Sequence, residues 1–170
     1  MSQSLQRLNE ETASQAEAEF LKCCGSTSWA QAMAAARPFA NAADLFAKAD
    51  SVAASLTDKD WLEAFRAHPK IGEQKAATAQ TPQEQKWSAH EQSAVQAASI
   101  DTIAQLAQRN REYEDRFGFI FIVCATGRSS EEMLAILNSR IENDRQTEIE
   151  LAAVEQEKIT RLRLEKLLNS

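Results

Sequence analysis

One stretch of this chain, Phe117-Gly118-Phe119-Ile120-Phe121-Ile122-Val123, is built of aromatic and β-branched residues that favour an extended backbone. No second stretch of equal quality exists for it to pair with. A lone strand leaves its backbone donors and acceptors unmet along both edges, so a sheet is excluded. Two outcomes remain: tertiary packing forces the stretch into a helix, or it lies irregular in the core. In the second case its backbone amides are available to a ligand, although the residues alone read more simply as an apolar core segment with no role. The rest of the chain has the makings of helix. Only 4 glycines and 3 prolines interrupt 170 residues, among abundant alanine, glutamate, glutamine and leucine. The expected fold is all-α, a single compact multi-helix domain over residues 1–170 with one irregular apolar segment around 117–125.

Helix boundaries follow from capping chemistry. Residues 5–23 read as one helix with a thin apolar stripe, broken by Gly25 through Ser28. A short helix follows over Trp29–Ala35, and another over 41–55. Thr57 with Asp60 starts a helix whose stripe is Trp61, Leu62 and Phe65. Residues 73–80 are a polar loop. Thr81-Pro82-Gln83-Glu84 combines a capping threonine, a first-turn proline and a glutamate that bonds back, and predicts a helix running to about Ala98. Asp101 caps the next, with Ile103, Leu106 and Ala107 inward, to about Arg116. Ser129 with Glu132 starts one carrying Met133, Leu134, Leu137 and Ile141. Asn143-Asp144 interrupts it, and a last helix runs from about Thr147 to Leu168.

The net charge of −6, without a long Lys/Arg run, argues against nucleic-acid binding. No apolar stretch is long enough to span a membrane and no signal-peptide pattern opens the chain, which predicts a cytoplasmic protein. Cys23, Cys24 and Cys124 form no disulfide framework and read as reduced thiols. They also lack metal-ligand spacing with the two histidines. Cys124 lies in an apolar run, where a thiol is more often inert packing than a nucleophile.

Three features can carry chemistry. His68 stands directly before Pro69, and the residue before a proline is disfavoured in a helix. It therefore sits at a helix end, where a ligand reaches it, and imidazole is the side chain suited to proton transfer near neutral pH. The residues alone leave open a surface histidine that merely ends a helix. Ser88, Glu91 and Gln92 fall at i, i+3 and i+4 on one face of the helix that starts at Pro82, bordered by Trp87 and continued by Val95. They suit a small amide-rich ligand or are ordinary polar groups facing water; His90 points elsewhere on that helix. In the last helix Arg161 has Glu157 and Glu165 one turn away on either side, an exposed salt-bridged face. Arg163 instead has Ile159 and Leu167, an apolar setting that is costly for a cation unless a carboxylate or anionic ligand meets it.

Together these residues resemble the 2-oxo-4-hydroxy-4-carboxy-5-ureidoimidazoline (OHCU) decarboxylase family of urate degradation. The matching pieces are Arg37-Pro38-Phe39, His68-Pro69-Lys70-Ile71-Gly72, Ser88-Ala89-His90-Glu91-Gln92 and Asn110-Arg111-Glu112-Tyr113 leading into Arg116-Phe117-Gly118-Phe119. They continue through Phe121-Ile122-Val123-Cys124-Ala125-Thr126-Gly127-Arg128-Ser129 and close with Lys158-Ile159-Thr160-Arg161-Leu162-Arg163-Leu164. The family's order is kept from residue 37 to 164. Around Gly25-Ser26-Thr27-Ser28-Trp29 a histidine frequent in the family is absent, and Ile120 replaces a frequent proline.

The resemblance implies an all-helical homodimer without metal or organic cofactor. It implies that His68 carries the catalytic proton and that Glu91 binds the substrate and orients its protons. Ser88, Ala89, His90 and Gln92 stand beside it and Pro69 lines the pocket. The backbone of Phe121, Ile122, Val123, Cys124 and Ala125 contacts the ring and ureido groups, and Arg163 completes the pocket. The implied reaction converts OHCU to (S)-allantoin and CO2. A helical adaptor using the amphipathic C-terminal segment, and a metal-dependent hydrolase in which His68 and His90 converge, are the other classes the residues allow.

Overall fold

The computed structural model describes residues 2–72, 76, 78–93 and 100–170. Over these the protein is all-α: α1 (Gln3–Glu10), α2 (Ala13–Cys23), α3 (Thr27–Ala35), α4 (Ala42–Ala53), α5 (Asp58–Arg66), α6 (Pro82–Glu91), α7 (Ile100–Phe117), α8 (Ser130–Arg140) and α9 (Arg145–Leu168). No strand occurs among the described residues, and Pro69 and Ala76 make one isolated bridge. Among the described residues no helix is long and apolar enough to cross a membrane. The chain divides into two compact units, Met1–Ala64 with Glu157–Ser170, and Phe65–Gln156.

The first unit joins both ends of the chain: Ser4 Oγ donates to the Ser170 carbonyl at 2.8 Å. Its core holds Leu5, Leu8, Phe20, Trp29, Met33, Phe39, Leu45 and Leu164, all nearly inaccessible to water. Phe20 meets Trp29 and Phe39 edge-on, with centroids 5.8 and 6.1 Å away. That geometry suits the positive ring edge and negative ring face. Arg37, followed by a cis peptide to Pro38, donates to the carbonyls of Ala34, Leu8 and Glu11. The expected single helix over 5–23 is two. Thr12 accepts from the Gln15 amide while Gln15 accepts from the Thr12 amide, a capping box that starts α2 and ends α1.

In the second unit α7 buries Leu106, Asn110, Tyr113 and Phe117, spaced four, three and four apart along one face. Ile103, expected inward, is 37% exposed. Asp101 lies in the first turn of α7 and not at its cap. The capping boxes at Thr81 and Ser129 form as expected, Glu84 and Glu132 closing them. The helix begun at Pro82 stops at Glu91, with Gln92 as its cap; the expected extension through Val95 to Ala98 falls partly outside the described residues, as do 73–75 and 77 of the expected polar loop.

The apolar stretch after α7 is neither helix nor strand. The Gly118 amide caps α7 on the Glu114 carbonyl at 2.8 Å, with a φ of +80° that glycine adopts without strain. From there Phe119, Phe121, Ile122, Val123 and Ala125 run buried through the unit. Tyr113 packs at its centre, 4.5 Å from Phe117, 5.8 Å from Phe119 and 5.4 Å from Phe121 between centroids.

Candidate active site

His68 follows the end of α5, as the proline after it requires, and its amide closes the turn on the Phe65 carbonyl. It is buried, 8% exposed, on a loop clamped at three points. Gln80 Nε2 donates to the Ala67 carbonyl at 2.8 Å. Asn110 Nδ2, from α7, donates to the Ile71 carbonyl at 3.2 Å. The Gly72 amide donates to Gln92 Oε1 at 2.9 Å, and Gly72 takes a φ of +85° to present it. Lys70 adds an ion pair to Glu114 at 2.6 Å. The ring itself is held by α9: His68 Nε2 lies 2.6 Å from Gln156 Oε1.

On α6 the spacing argument separates the polar residues cleanly. Ser88, Glu91 and Gln92 are buried, whereas Ala89 and His90 are exposed. Ser88 Oγ accepts from Gln80 Nε2 at 3.3 Å, so one glutamine amide bridges the His68 loop and α6. Pro69, in the same clamped loop, is buried. Loop and α6 are thus joined by Gln92 directly and by Gln80.

The irregular segment is anchored from behind. Arg140 Nη1 donates to the Ile122 carbonyl at 2.7 Å and its guanidinium stacks on the Phe121 ring, 4.8 Å from the centroid. Arg140 Nε pairs with Glu148 at 2.8 Å, and that carboxylate also accepts from the Tyr113 hydroxyl at 2.6 Å and from Asn143 at 2.9 Å. Burial, then the bond to Glu148, pushes the Tyr113 phenol far up. The Cys124 amide donates to Glu155 Oε2 at 2.8 Å. Two polar groups of the segment, the Ile122 carbonyl and the Cys124 amide, therefore already have protein partners. Burial raises the Cys124 thiol, and the negative charges of Glu155 and Glu91 raise it further. A thiol so placed is a poor nucleophile.

Arg163 belongs to the first unit. It is 3% exposed and donates from Nη1 to the Lys22 carbonyl at 3.1 Å. Burial pushes the thiols of Cys23 and Cys24 up, Cys24 to about 11, and the charge of Arg163 works against that rise. Arg161 is exposed, as expected, pairing with Glu165 at 3.7 Å. Among the described residues no three His, Cys, Asp or Glu side chains converge on a position that could hold a metal ion.

Sequence reasoning passed over Gln80, Arg140, Glu148, Glu155 and Gln156, and gave Asn110 and Tyr113 no role. Gln156 carried a usable signal. On α9 it has Ala152 one turn before and Ile159 and Thr160 one turn after, all buried. The rule that singled out Arg163, a polar group on an apolar stripe, applies to it equally.

The family model for OHCU decarboxylase matches residues 9–165. The uric acid degradation bifunctional protein TTL of Arabidopsis thaliana is 37% identical over 153 residues, 90% of this chain and 47% of that protein. The 2-oxo-4-hydroxy-4-carboxy-5-ureidoimidazoline decarboxylase of Amia calva is 32% identical over 143 residues, 82% of this chain and 79% of that protein. The chain spans less than half the length of the bifunctional relatives it matches. A crystal structure of OHCU decarboxylase in the presence of (S)-allantoin matches with a TM-score of 0.74 and 39% identity, covering 89% of this chain and 98% of that one.

Proposed function

The chain belongs to the OHCU decarboxylase family, and from that premise we propose that it converts OHCU to (S)-allantoin and CO2 in urate degradation. The observation that carries this reading is the setting of His68: a buried imidazole on a loop fixed at Ala67, Ile71 and Gly72, with one ring nitrogen held by Gln156. General acid–base catalysis needs such a group within reach and fixed in direction.

The chemistry asks for little else. The bond from the ring carbon to the carboxylate breaks and its electron pair passes into the adjacent unsaturated ring atoms. One proton is then added to one face of the ring, so substrate carboxylate and proton become CO2 and a new C–H bond. The substrate is its own electron sink, and no organic cofactor is called for. What the protein contributes is orientation, stabilisation of the developing charge and a proton from one side. In this reading His68 delivers that proton, and Glu91 binds the substrate and orients its protons. Ser88, Ala89, His90 and Gln92 stand beside it, with Pro69 along the wall and the Phe121–Ala125 backbone against the ring and ureido groups. The burial of Ser88, Glu91 and Gln92 together supports the α6 part of this assignment. Arg163, which is buried and donates to the Lys22 carbonyl, is assigned to the substrate by the resemblance.

The family match takes in both compact units, which supports one OHCU decarboxylase-like domain over residues 1–170. We place it in the cytoplasm, in keeping with three cysteines that are all unbridged, and as a homodimer, as the resemblance implies. The test is circular dichroism of allantoin formed from OHCU generated in situ. The expected result is a rapid (S)-allantoin signal that His68→Ala and Glu91→Ala each reduce by at least ~10²-fold, the lower end of what proton transfer contributes. A wild-type signal no faster than the spontaneous racemic background rejects the activity. Near-normal turnover in either variant rejects that residue's role.

A further inference from the structure

We infer that Gln156 is a positioning residue for this reaction: its side-chain oxygen holds the Nε2 proton of His68 in place, so that the transferred proton enters and leaves at Nδ1. The inference rests on the decarboxylase reading for its kinetic consequence, but not for the tautomer it assigns.

An amide oxygen carries no proton. At 2.6 Å from Gln156 Oε1, His68 Nε2 is therefore the donor. A neutral imidazole has one ring proton, so with Nε2 protonated the lone pair is at Nδ1. The imidazolium also carries a proton on Nε2, so the same bond serves both states. Only Nδ1 changes between them. The partner's neutrality matters too: it selects the tautomer without adding a charge beside the ring. Both groups are buried, Gln156 completely and His68 to 8% exposure, so water competes little for the bond. They are 88 residues apart, and the contact is one that α9 makes specifically with the loop before α6. Turning the amide about would place its NH2 against a bare Nε2 and move the ring proton to Nδ1, the opposite assignment.

The experiment is nitrogen NMR of the full chain labelled with 15N-histidine, beside the allantoin assay. The chain has two histidines, and His90 is exposed, so His90 serves as an internal reference. The expected wild-type spectrum shows neutral His68 protonated on Nε2 alone. Gln156→Met keeps the buried volume and removes the acceptor. It is expected to mix the two tautomers of His68, leave His90 unchanged and lower kcat by about tenfold or more, a part of the ~10²–10⁴ that general acid–base catalysis supplies. Gln156→Glu, which as the carboxylate can only accept, is expected to restore the Nε2 proton and recover activity over the Met variant. Its added negative charge favours the imidazolium, so the falling alkaline limb of activity moves up by about 1–3 pH units.

A wild-type His68 protonated on Nδ1 overturns the inference, as does a Met variant that keeps either the single tautomer or full kcat. If Gln156→Met does not fold, the wild-type spectrum and the Glu variant still decide. The spectra need no substrate. Failure of wild-type protein to make (S)-allantoin would sink the decarboxylase reading and leave the tautomer result standing.

Discussion

Replacing Arg140 by methionine tests whether the irregular segment is held by a buried ion pair. Arg140 and Glu148 have side chains 9% and 0% exposed, with Nε and Oε1 2.8 Å apart. Methionine keeps the length of the arginine stem, so little cavity opens. What is lost is the cation opposite Glu148, the bond to the Ile122 carbonyl and the stacking on Phe121. The Glu148 carboxylate then has Tyr113 and Asn143 as its remaining hydrogen-bond donors, both neutral. Removing one partner of a buried pair leaves an uncompensated charge and costs about 3–5 kcal/mol. For a chain of this size that is a fall of roughly 6–20 °C in Tm. Urea unfolding at neutral pH measures it as a lower midpoint at unchanged slope. Adding Glu148→Gln to the variant removes the stranded charge yet keeps an acceptor for Tyr113, and is expected to recover at least half the loss. A loss below about 1 kcal/mol, the scale of exposed pairs, would refute the reasoning, as would a double variant less stable than Arg140→Met alone.

The single tyrosine makes the same cluster visible to absorbance. Tyr113 holds its proton in the folded state far above the ordinary phenol range. Its folded pKa is raised, so its contribution to stability is complete below about pH 10 and declines as pH rises beyond that. Native protein is expected to show tyrosinate absorbance only as it unfolds in alkali, while urea-unfolded protein titrates near pH 10; reversible titration near 10 without unfolding would contradict this. Thiol labelling reports on burial: at pH 8 the half-buried Cys124 is expected to react first and slowly. Cys23 and Cys24 should react only on unfolding, because burial keeps both as thiols. Prompt labelling of all three in native protein would refute that.

Local chemistry was legible in the sequence wherever one or two residues decide it. Pro69 fixes the helix end before His68, and the boxes at Thr81 and Ser129 fix two helix starts, because each acts within four residues. The break at Thr12 is equally local, but its reciprocal partner is glutamine in a run of alanines and glutamates. The thin stripe across it read as continuous. Ile103 shows the reverse error: its spacing from Leu106 suits an inward face, yet the partner surface covers Leu106, Asn110 and Tyr113 and leaves it out. The lone apolar stretch could be excluded from a sheet because pairing needs a second strand. What holds it could not be read, because Arg140 reaches it from 18 residues away and is itself held by Glu148. The α6 face was legible as a periodicity; the bonds of Gln80 to Ala67 and Ser88 and of Gln156 to His68 were not, since only tertiary packing makes them.

The closing of the first unit by both ends of the chain has a temporal consequence. Phe65–Gln156 is continuous, so all its residues are present once residue 156 has been made. Met1–Ala64, though synthesised first, lacks Ile159, Leu164 and Leu167 until Glu157–Ser170 follows. Domains ordinarily fold in the order of synthesis. Here Met1–Ala64 must wait for a segment made after the whole of Phe65–Gln156. The stretch from 157 to 170 thus acts as a latch that completes the core of the first unit last.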